Sequence, residues 1–201
     1  MNQPVQFTLV RHGETIWNRE MRLQGSKDIP LSEAGLDQAE RVAARLSGET
    51  FHVLYSSRLQ RAHKTGERIA AVSGVPHHVH EDLRERHYGE VEGFTREQIL
   101  DRYPDFWTPG QTYEVAGVES FEELSARAFN AVSHIADQHP GEHVVLVSHG
   151  GTINAFLHAI SGGQYGSGVN KLGNTSVTRV IREADGTWKI IDVGCTAHLE
   201  S

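Results

Sequence analysis

Two apolar runs constrain this chain more than any other feature: Val5 to Val10, which ends at Arg11-His12-Gly13, and His143 to Val147, which ends at Ser148-His149-Gly150. A short continuous apolar run that stops abruptly at polar residues and glycine reads as a strand buried on both faces. Strands of that kind belong in a mostly parallel sheet covered by helices. In such open sheets ligands bind beyond the carboxyl ends of the strands, which is where both histidines fall. Two imidazoles can therefore face one another. A strand-end histidine taken alone is more often a structural residue, so the weight rests on the pair.

The segments between the two runs read as alternating helices and strands. From Ser32, a candidate cap, Leu36, Ala39, Val42, Ala43 and Leu46 recur at helical spacing up to Gly48. Phe51 to Tyr55 reads as a strand, and Ser57 to Ser73 as a helix ended by Gly74 and Pro76. Ser120 and Glu123 form a capping box, and Phe121, Leu124, Ala128, Val132 and Ile135 continue a helical stripe to His139-Pro140-Gly141. Gly150, Gly151 and Thr152 open a further helix. Thr175 to Ile181 and Thr187 to Val193 flank Asp185-Gly186, a hairpin signal. The expected fold is an α/β three-layer sandwich, with a mostly parallel central sheet, helices on both faces and an antiparallel C-terminal hairpin.

No repeat or linker interrupts residues 1 to 201, so one domain is expected. The least regular stretch, Arg102 to Val118, carries Pro104, Phe106, Trp107, Pro109, Gly110 and Tyr113. It reads as part of a flap covering about residues 95 to 118. Phe94, Phe106, Trp107 and Tyr113 either line an outer pocket or pack the flap against the body, and both readings stay open.

Composition removes several function classes. The net charge is -7 and the basic residues are scattered, so no footprint for nucleic acid is expected. The chain lacks a basic segment followed by an apolar run at its start and any stretch near the roughly 20 apolar residues that span a bilayer, so no membrane association and a cytoplasmic location are expected. Cys195 is the only cysteine, which excludes an intrachain disulfide and a thiolate zinc site. His77, His78 and His80, among 13 histidines, match no standard metal spacing and read as an exposed extended segment. A homodimer is possible but not specified.

Arginines stand where the histidines converge. Arg11 adjoins His12, and Arg61 falls early in the helix after the second strand, where its fork could grip phosphate oxygens; Arg58 and Arg61 could otherwise be solvated helix arginines. The surrounding motifs are specific in combination. Leu9-Val10-Arg11-His12-Gly13-Glu14-Thr15, Trp17-Asn18, Arg22-Leu23-Gln24-Gly25, Asp28-Ile29-Pro30-Leu31, Ser32-Glu33-Ala34-Gly35, Ser56-Ser57-Arg58-Leu59-Gln60-Arg61-Ala62, Leu83-Arg84-Glu85-Arg86-His87-Tyr88-Gly89, Glu92-Gly93, Val147-Ser148-His149-Gly150, Asn174-Thr175-Ser176-Val177 and His198-Leu199 together resemble the histidine phosphatase superfamily over almost the whole chain.

That resemblance implies a phosphoglycerate mutase-like fold and a metal-independent reaction without cofactor. His12 would attack a small phosphate monoester and become phosphohistidine. Arg11, Arg61 and a protonated His149 would grip the phosphate, helped by amide N–H groups, and Glu85 would give a proton to the leaving oxygen. Asn18, Gln24, Gly25, Tyr88 and Gly150 are expected beside the phosphate, with Arg96 a further candidate contact. Glu14 and Thr15 read instead as caps of the next short helix, and Trp17 as core.

A phosphatase is the expected activity. The alternative is a cofactor-dependent phosphoglycerate mutase, because Glu85-Arg86-His87-Tyr88-Gly89 resembles the mutase version of the acid motif. Mutases carry a longer insertion with paired arginines, whereas residues 97 to 118 here hold only Arg102 as a basic residue. A catalytically dead phosphate sensor would be expected to lack the nucleophile or the acid. A zinc hydrolase would need a helical i, i+4 histidine pair that the chain does not contain.

Overall fold

The computed structural model describes residues 3–108 and 115–200. Pro109, Gly110 and Tyr113 of the expected flap lie outside the described residues. In chain order the elements are β1 (Val5–Arg11), α1 (Ile16–Arg19), α2 (Glu33–Leu46), β2 (Val53–Ser56), α3 (Gln60–Ser73), β3 (His77–Val79), α4 (Arg96–Arg102), α5 (Phe121–Gln138), β4 (His143–Ser148), α6 (Gly150–Ser161), β5 (Val177–Arg182) and β6 (Trp188–Cys195). The strands form one sheet in the order β3-β2-β4-β1-β5-β6. Pairing is parallel from β3 through β1, and β5 and β6 add antiparallel strands.

The apolar runs become central strands because both of their faces are covered. On one face Val5, Phe7 and Leu9 of β1 and Val144 and Leu146 of β4 meet Ala128, Val132 and Ile135 of α5 and Ile153, Phe156 and Leu157 of α6. On the other, Val10, Leu54, Val145 and Val147 meet Val42, Ala43 and Leu46 of α2 and Ala62 and Ile69 of α3. Alternate residues of each strand thus feed separate cores, giving the expected three layers.

Several boundaries differ from the sequence reading for local reasons. Helix α3 starts at Gln60 rather than Ser57, since the Ser57 hydroxyl accepts the Leu59 amide and turns the chain before the helix begins. Its end at Gly74, φ 68°, is the left-handed cap that glycine permits. Leu36 is 41% exposed and leaves the stripe of α2 to the residues after it. Strand β5 begins at Val177 because Thr175, at φ 52°, takes the chain round a tight turn first. The extended histidine segment supplies a three-residue edge strand, β3, too short and polar to show as one. There His77 bonds Ser56 Oγ at 2.8 Å and stacks on His63, while His78 and His80 pack their rings against Tyr55.

The stretch after Tyr88 builds its own small core. Helix α4 opens with a Thr95/Gln98 capping box that was not anticipated, and Ile99 joins Val91, Phe106 and Val115 in a buried cluster flanked by Tyr88, Phe94 and Tyr103. Of the flap aromatics, Phe106 is therefore packing; Trp107 is 38% exposed, beneath the Arg96 guanidinium.

Leu146 sits at the middle of the central pair and is 1% exposed. Leu146→Ala should reduce unfolding free energy by about 2 to 5 kcal/mol, the range for a buried leucine that leaves a cavity. Urea unfolding followed by circular dichroism reads this directly; a loss under 1 kcal/mol, far below that range, would show that the core collapses around the site.

Candidate active site

The register of β1 on β4 creates the site. Arg11 lies opposite Ser148, and the His12 amide donates to the Ser148 carbonyl at 3.0 Å, so the next residues on both strands emerge together. The rings of His12 and His149 stand 5.1 Å apart, centre to centre, and both are buried.

Each imidazole is prepared differently. His12 Nδ1 lies 2.7 Å from the Gly13 carbonyl oxygen, which only accepts, so this nitrogen carries the proton and Nε2 keeps its lone pair. The main chain is pinned around it: the His12 carbonyl accepts from the Thr175 amide at 3.2 Å and Asn174 Nδ2 at 3.1 Å, and the Gly13 amide donates to Thr65 Oγ1 at 3.1 Å. Gly13 is required, because a Cβ would meet the Gly35 carbonyl at 2.5 Å. Neither ring nitrogen of His149 has a partner among the described residues.

Burial, then the charges of Arg61 and Arg11, hold His12 well below the usual imidazole range. His149 is depressed likewise, by burial first and then by Arg61, His12 and Arg11. The expected protonated His149 therefore requires an anion beside it to offset the arginines.

Arg61 is 1% exposed, with Nη1 donating to the Lys27 carbonyl at 2.7 Å and Nη2 to the Gly25 carbonyl at 2.8 Å. Arg11 Nη1 donates to the Leu172 carbonyl at 2.6 Å. These carbonyls aim the guanidiniums without neutralising them, and the Nε atoms of both are buried without a partner among the described residues. Burial lowers Arg61 to about 10, against the opposing pull of Glu85 and Asp28, and it stays charged at neutral pH. Buried donors left unpaired in a folded protein ask for an explanation, and an anionic ligand supplies one.

Glu85 sits on the first turn of α6. Its carboxylate accepts the Gly151 amide at 3.1 Å, the Thr152 amide at 3.1 Å and the Arg86 amide at 2.9 Å. A Cβ on Gly151 would lie 2.5 Å from Glu85 Oε1, so glycine makes this seat possible. The Gly151 and Thr152 amides at the start of α6 are therefore engaged with a carboxylate. Gly150 lies beside Arg11, where a Cβ would stand at an ordinary contact distance of 3.5 Å from Nε.

The other expected residues divide. Asn18 Oδ1 accepts the Thr15 amide and Asn174 Nδ2 in the cap of α1, leaving its own amide nitrogen to donate. Gln24 is buried with an unpartnered Oε1. Gly25, at φ 52°, offers its carbonyl to Arg61, and Tyr88, its hydroxyl pushed up mainly by burial, packs under Arg86. Arg58 pairs with Glu81 in solvent, away from this group. Thr15 caps α1 as expected, but the Glu14 carboxylate turns to Ser32 Oγ instead. Trp17 is half-buried, edge-on to Gly93.

The sequence reading assigned no role to Glu92. Its side chain is 2% exposed and accepts the Ser26 amide and hydroxyl and the Tyr88 amide, tying the loop that aims Arg61 to the segment after Glu85. The Glu92-Gly93 motif was visible, but nothing in its spacing marks a buried acid.

The model for the histidine phosphatase superfamily (branch 1) matches residues 7–196. The chain belongs to that superfamily. It is similar to phosphoglycerate mutase-like protein 4 of Arabidopsis thaliana, with 39% identity over 97% of this chain and 87% of that protein. It is also similar to the metal-independent phosphoserine phosphatase of the same plant, with 36% identity over 100% of this chain and 85% of the relative. Among solved structures, a mutant phosphoserine phosphatase from Entamoeba histolytica in complex with phosphoserine shares the fold with a TM-score of 0.84 and 30% identity, covering 97% and 99% of the two chains. This histidine phosphatase superfamily member is thus a phosphatase or mutase. No helix among its described residues is long and apolar enough to cross a membrane.

The two buried imidazoles make this superfamily member acid-sensitive. Their folded-state pKa values lie below the unfolded value, so the unfolded chain binds more protons below about pH 6.5, and stability present above that pH is lost as pH falls through the folded values. Each adds a slope of up to about 1.4 kcal/mol per pH unit. Urea titrations between pH 7 and 5 in phosphate-free buffer should show the decline, and His149→Asn should reduce its slope; an unchanged slope would show that the site does not carry the effect.

Proposed function

We propose that this protein is a metal-independent phosphatase of small-molecule phosphate monoesters, working through a phosphohistidine at His12. The observation that carries this reading is the His12 tautomer: Nδ1–H is spent on the Gly13 carbonyl, and Nε2 is left as a neutral nucleophile among buried, unpartnered nitrogens of Arg11, Arg61 and His149. An imidazole so prepared attacks phosphorus without first losing a proton.

The reaction runs in two displacements. His12 Nε2 bonds to phosphorus as the ester P–O bond breaks, and Glu85 delivers its proton to the departing alcohol oxygen. Glu85, now ionised, takes a proton from water as that water attacks phosphorus; the P–N bond breaks and inorganic phosphate leaves. Arg11, Arg61 and His149, the last protonated as the phosphate dianion arrives, stabilise the equatorial oxygens throughout. Asn18, Gln24 and the Gly25 loop complete the phosphate side. The chain acts as a single catalytic unit, with residues 95–108 and 115–118 as a flap beside the leaving group.

Hydrolysis is preferred over mutase chemistry because the flap cations are engaged in packing. Arg96 lies over Trp107 at 4.6 Å and Arg102 over Phe94 at 4.4 Å, in positions that brace the flap rather than hold a second anionic group. Phosphoserine, phosphoglycerate and sugar phosphates are the substrate class. The mutase reading is favoured by the acid motif and by the mutase-like Arabidopsis relative.

A paired assay in EDTA separates the two, following phosphate release from phosphoserine, 3-phosphoglycerate and p-nitrophenyl phosphate beside 3- to 2-phosphoglycerate conversion with bisphosphoglycerate. Release without interconversion is expected, and His12→Ala should lower it more than about a thousandfold with the fold intact. Interconversion with little release would make the protein a mutase, and near-normal release by the variant would sink the mechanism.

Glu85→Gln should lower kcat/KM, which reports the first displacement and not the shared hydrolysis of the phosphohistidine, at least about tenfold more for alkyl phosphates than for p-nitrophenyl phosphate, whose leaving group departs without a proton. Equal losses for both would remove Glu85 from the acid role.

A further inference from the structure

The segment that carries Glu85 is gripped by an ion pair, Glu119 with Arg127, that bonds the main chain on either side of it. Glu119, just before α5, and Arg127, in its second turn, each have only 10% side-chain exposure. They meet as a fork, Nε to Oε1 at 2.7 Å and Nη2 to Oε2 at 2.9 Å. Arg127 Nη1 donates to the carbonyls of Asp82 at 2.7 Å and Arg84 at 3.0 Å. From the other side Glu119 Oε2 accepts the His87 amide at 3.2 Å, its carbonyl accepts Arg86 Nε at 2.8 Å, and its amide donates to the His87 carbonyl at 2.8 Å. The pair therefore bonds the chain immediately before and immediately after Glu85. Thr152 completes the frame: its hydroxyl donates to the Arg84 carbonyl at 2.6 Å while its amide holds the Glu85 carboxylate.

A largely buried ion pair adds little net stability over an apolar replacement, since both charges must be desolvated. What this one supplies is geometry: a planar guanidinium reaches two carbonyls and a carboxylate at once, which a lysine cannot do. We propose that Glu119 and Arg127 are positioning residues for proton transfer, fixing residues 82–87 so that Glu85 is held between α6 and the phosphate. The proposal rests on Glu85 being the proton donor. Proton transfer requires heavy atoms within hydrogen-bond reach, so a small shift of this segment weakens the acid step while leaving the phosphate grip of Arg11 and Arg61 in place.

The test uses three variants of the full chain: Glu119→Gln, Arg127→Lys, and the double Glu119→Gln/Arg127→Gln, which leaves neither buried charge unpaired and keeps the test open if a single variant misfolds. Each is compared on an alkyl phosphate and p-nitrophenyl phosphate, alone and in the Glu85→Gln background. The expected result, read in kcat/KM because it reports phosphoryl transfer to His12 and not the shared hydrolysis step, is a loss of about tenfold on the alkyl ester and under about twofold on the nitrophenyl ester, with no further loss once Glu85 is Gln. Equal losses on both esters, no loss, or losses that multiply with that of Glu85→Gln would overturn the positioning role. If Glu85→Gln itself shows no leaving-group dependence, the acid assignment fails and takes this proposal with it. Persistence of activity in His12→Ala is read separately and bears on the phosphohistidine alone.

Discussion

The parallel pairing of β1 with β4 is the interaction on which the rest of the molecule depends. Its ladder ends where Arg11 meets Ser148, and the two following residues are both histidines. A slip of one residue along either strand would exchange the faces of every side chain, sending Phe7 and Leu9 into the layer built for Val10 and separating the imidazoles. Two independent cores, one on each face, resist that slip. Register is thus enforced by burial far from the chemistry, and the 5.1 Å approach of the rings follows from it.

The site gathers positive charge in a dry place, and the protein tolerates this by binding each cation to dipoles rather than to acids. Carbonyls of Gly25, Lys27 and Leu172 take the arginine donors, leaving the guanidinium charge uncancelled. The same field keeps both imidazoles neutral. A neutral His12 is what nucleophilic attack requires, and the field that depresses it is what a phosphate dianion relieves on arrival. Nucleophile activation and anion recognition therefore share one electrostatic cause.

Much of this was legible in the sequence. The apolar runs, the Ser120/Glu123 box and the Asp185-Gly186 turn are local signals, and each appears where its local physics puts it. His12, His149, Arg11, Arg61 and Glu85 were named because strand ends and motif order place them, and the structure brings all five together. The strand β3 and helix α4 escaped because three residues and seven residues carry too little periodicity to register. The use of the α6 amides escaped for a different reason: nothing in Gly150-Gly151-Thr152 says that a carboxylate 66 residues earlier in sequence, rather than a phosphate, will sit there. The shielded acids Glu92 and Glu119 were equally invisible, since a glutamate that ends up bonded inside the structure looks in sequence like one that does not.

Those two acids explain how the flap can be separate from the main core without loosening the site. Glu92 ties the Gly25-Ser26 loop to Tyr88, and Glu119 ties Arg86 and His87 to the start of α5. Between them Gly89, at φ 57°, passes so close to the returning chain that a Cβ would meet the Ala116 carbonyl at 2.0 Å. The two ends of the flap are thereby stitched together at its root, while Ile99, Phe106 and Val115 pack in a cluster of their own beyond it. Packing changes in that outer cluster can be absorbed there while the root keeps Arg61 and Glu85 in place. The outer cluster and the root that holds Arg61 and Glu85 are in this way separate packing units of one fold.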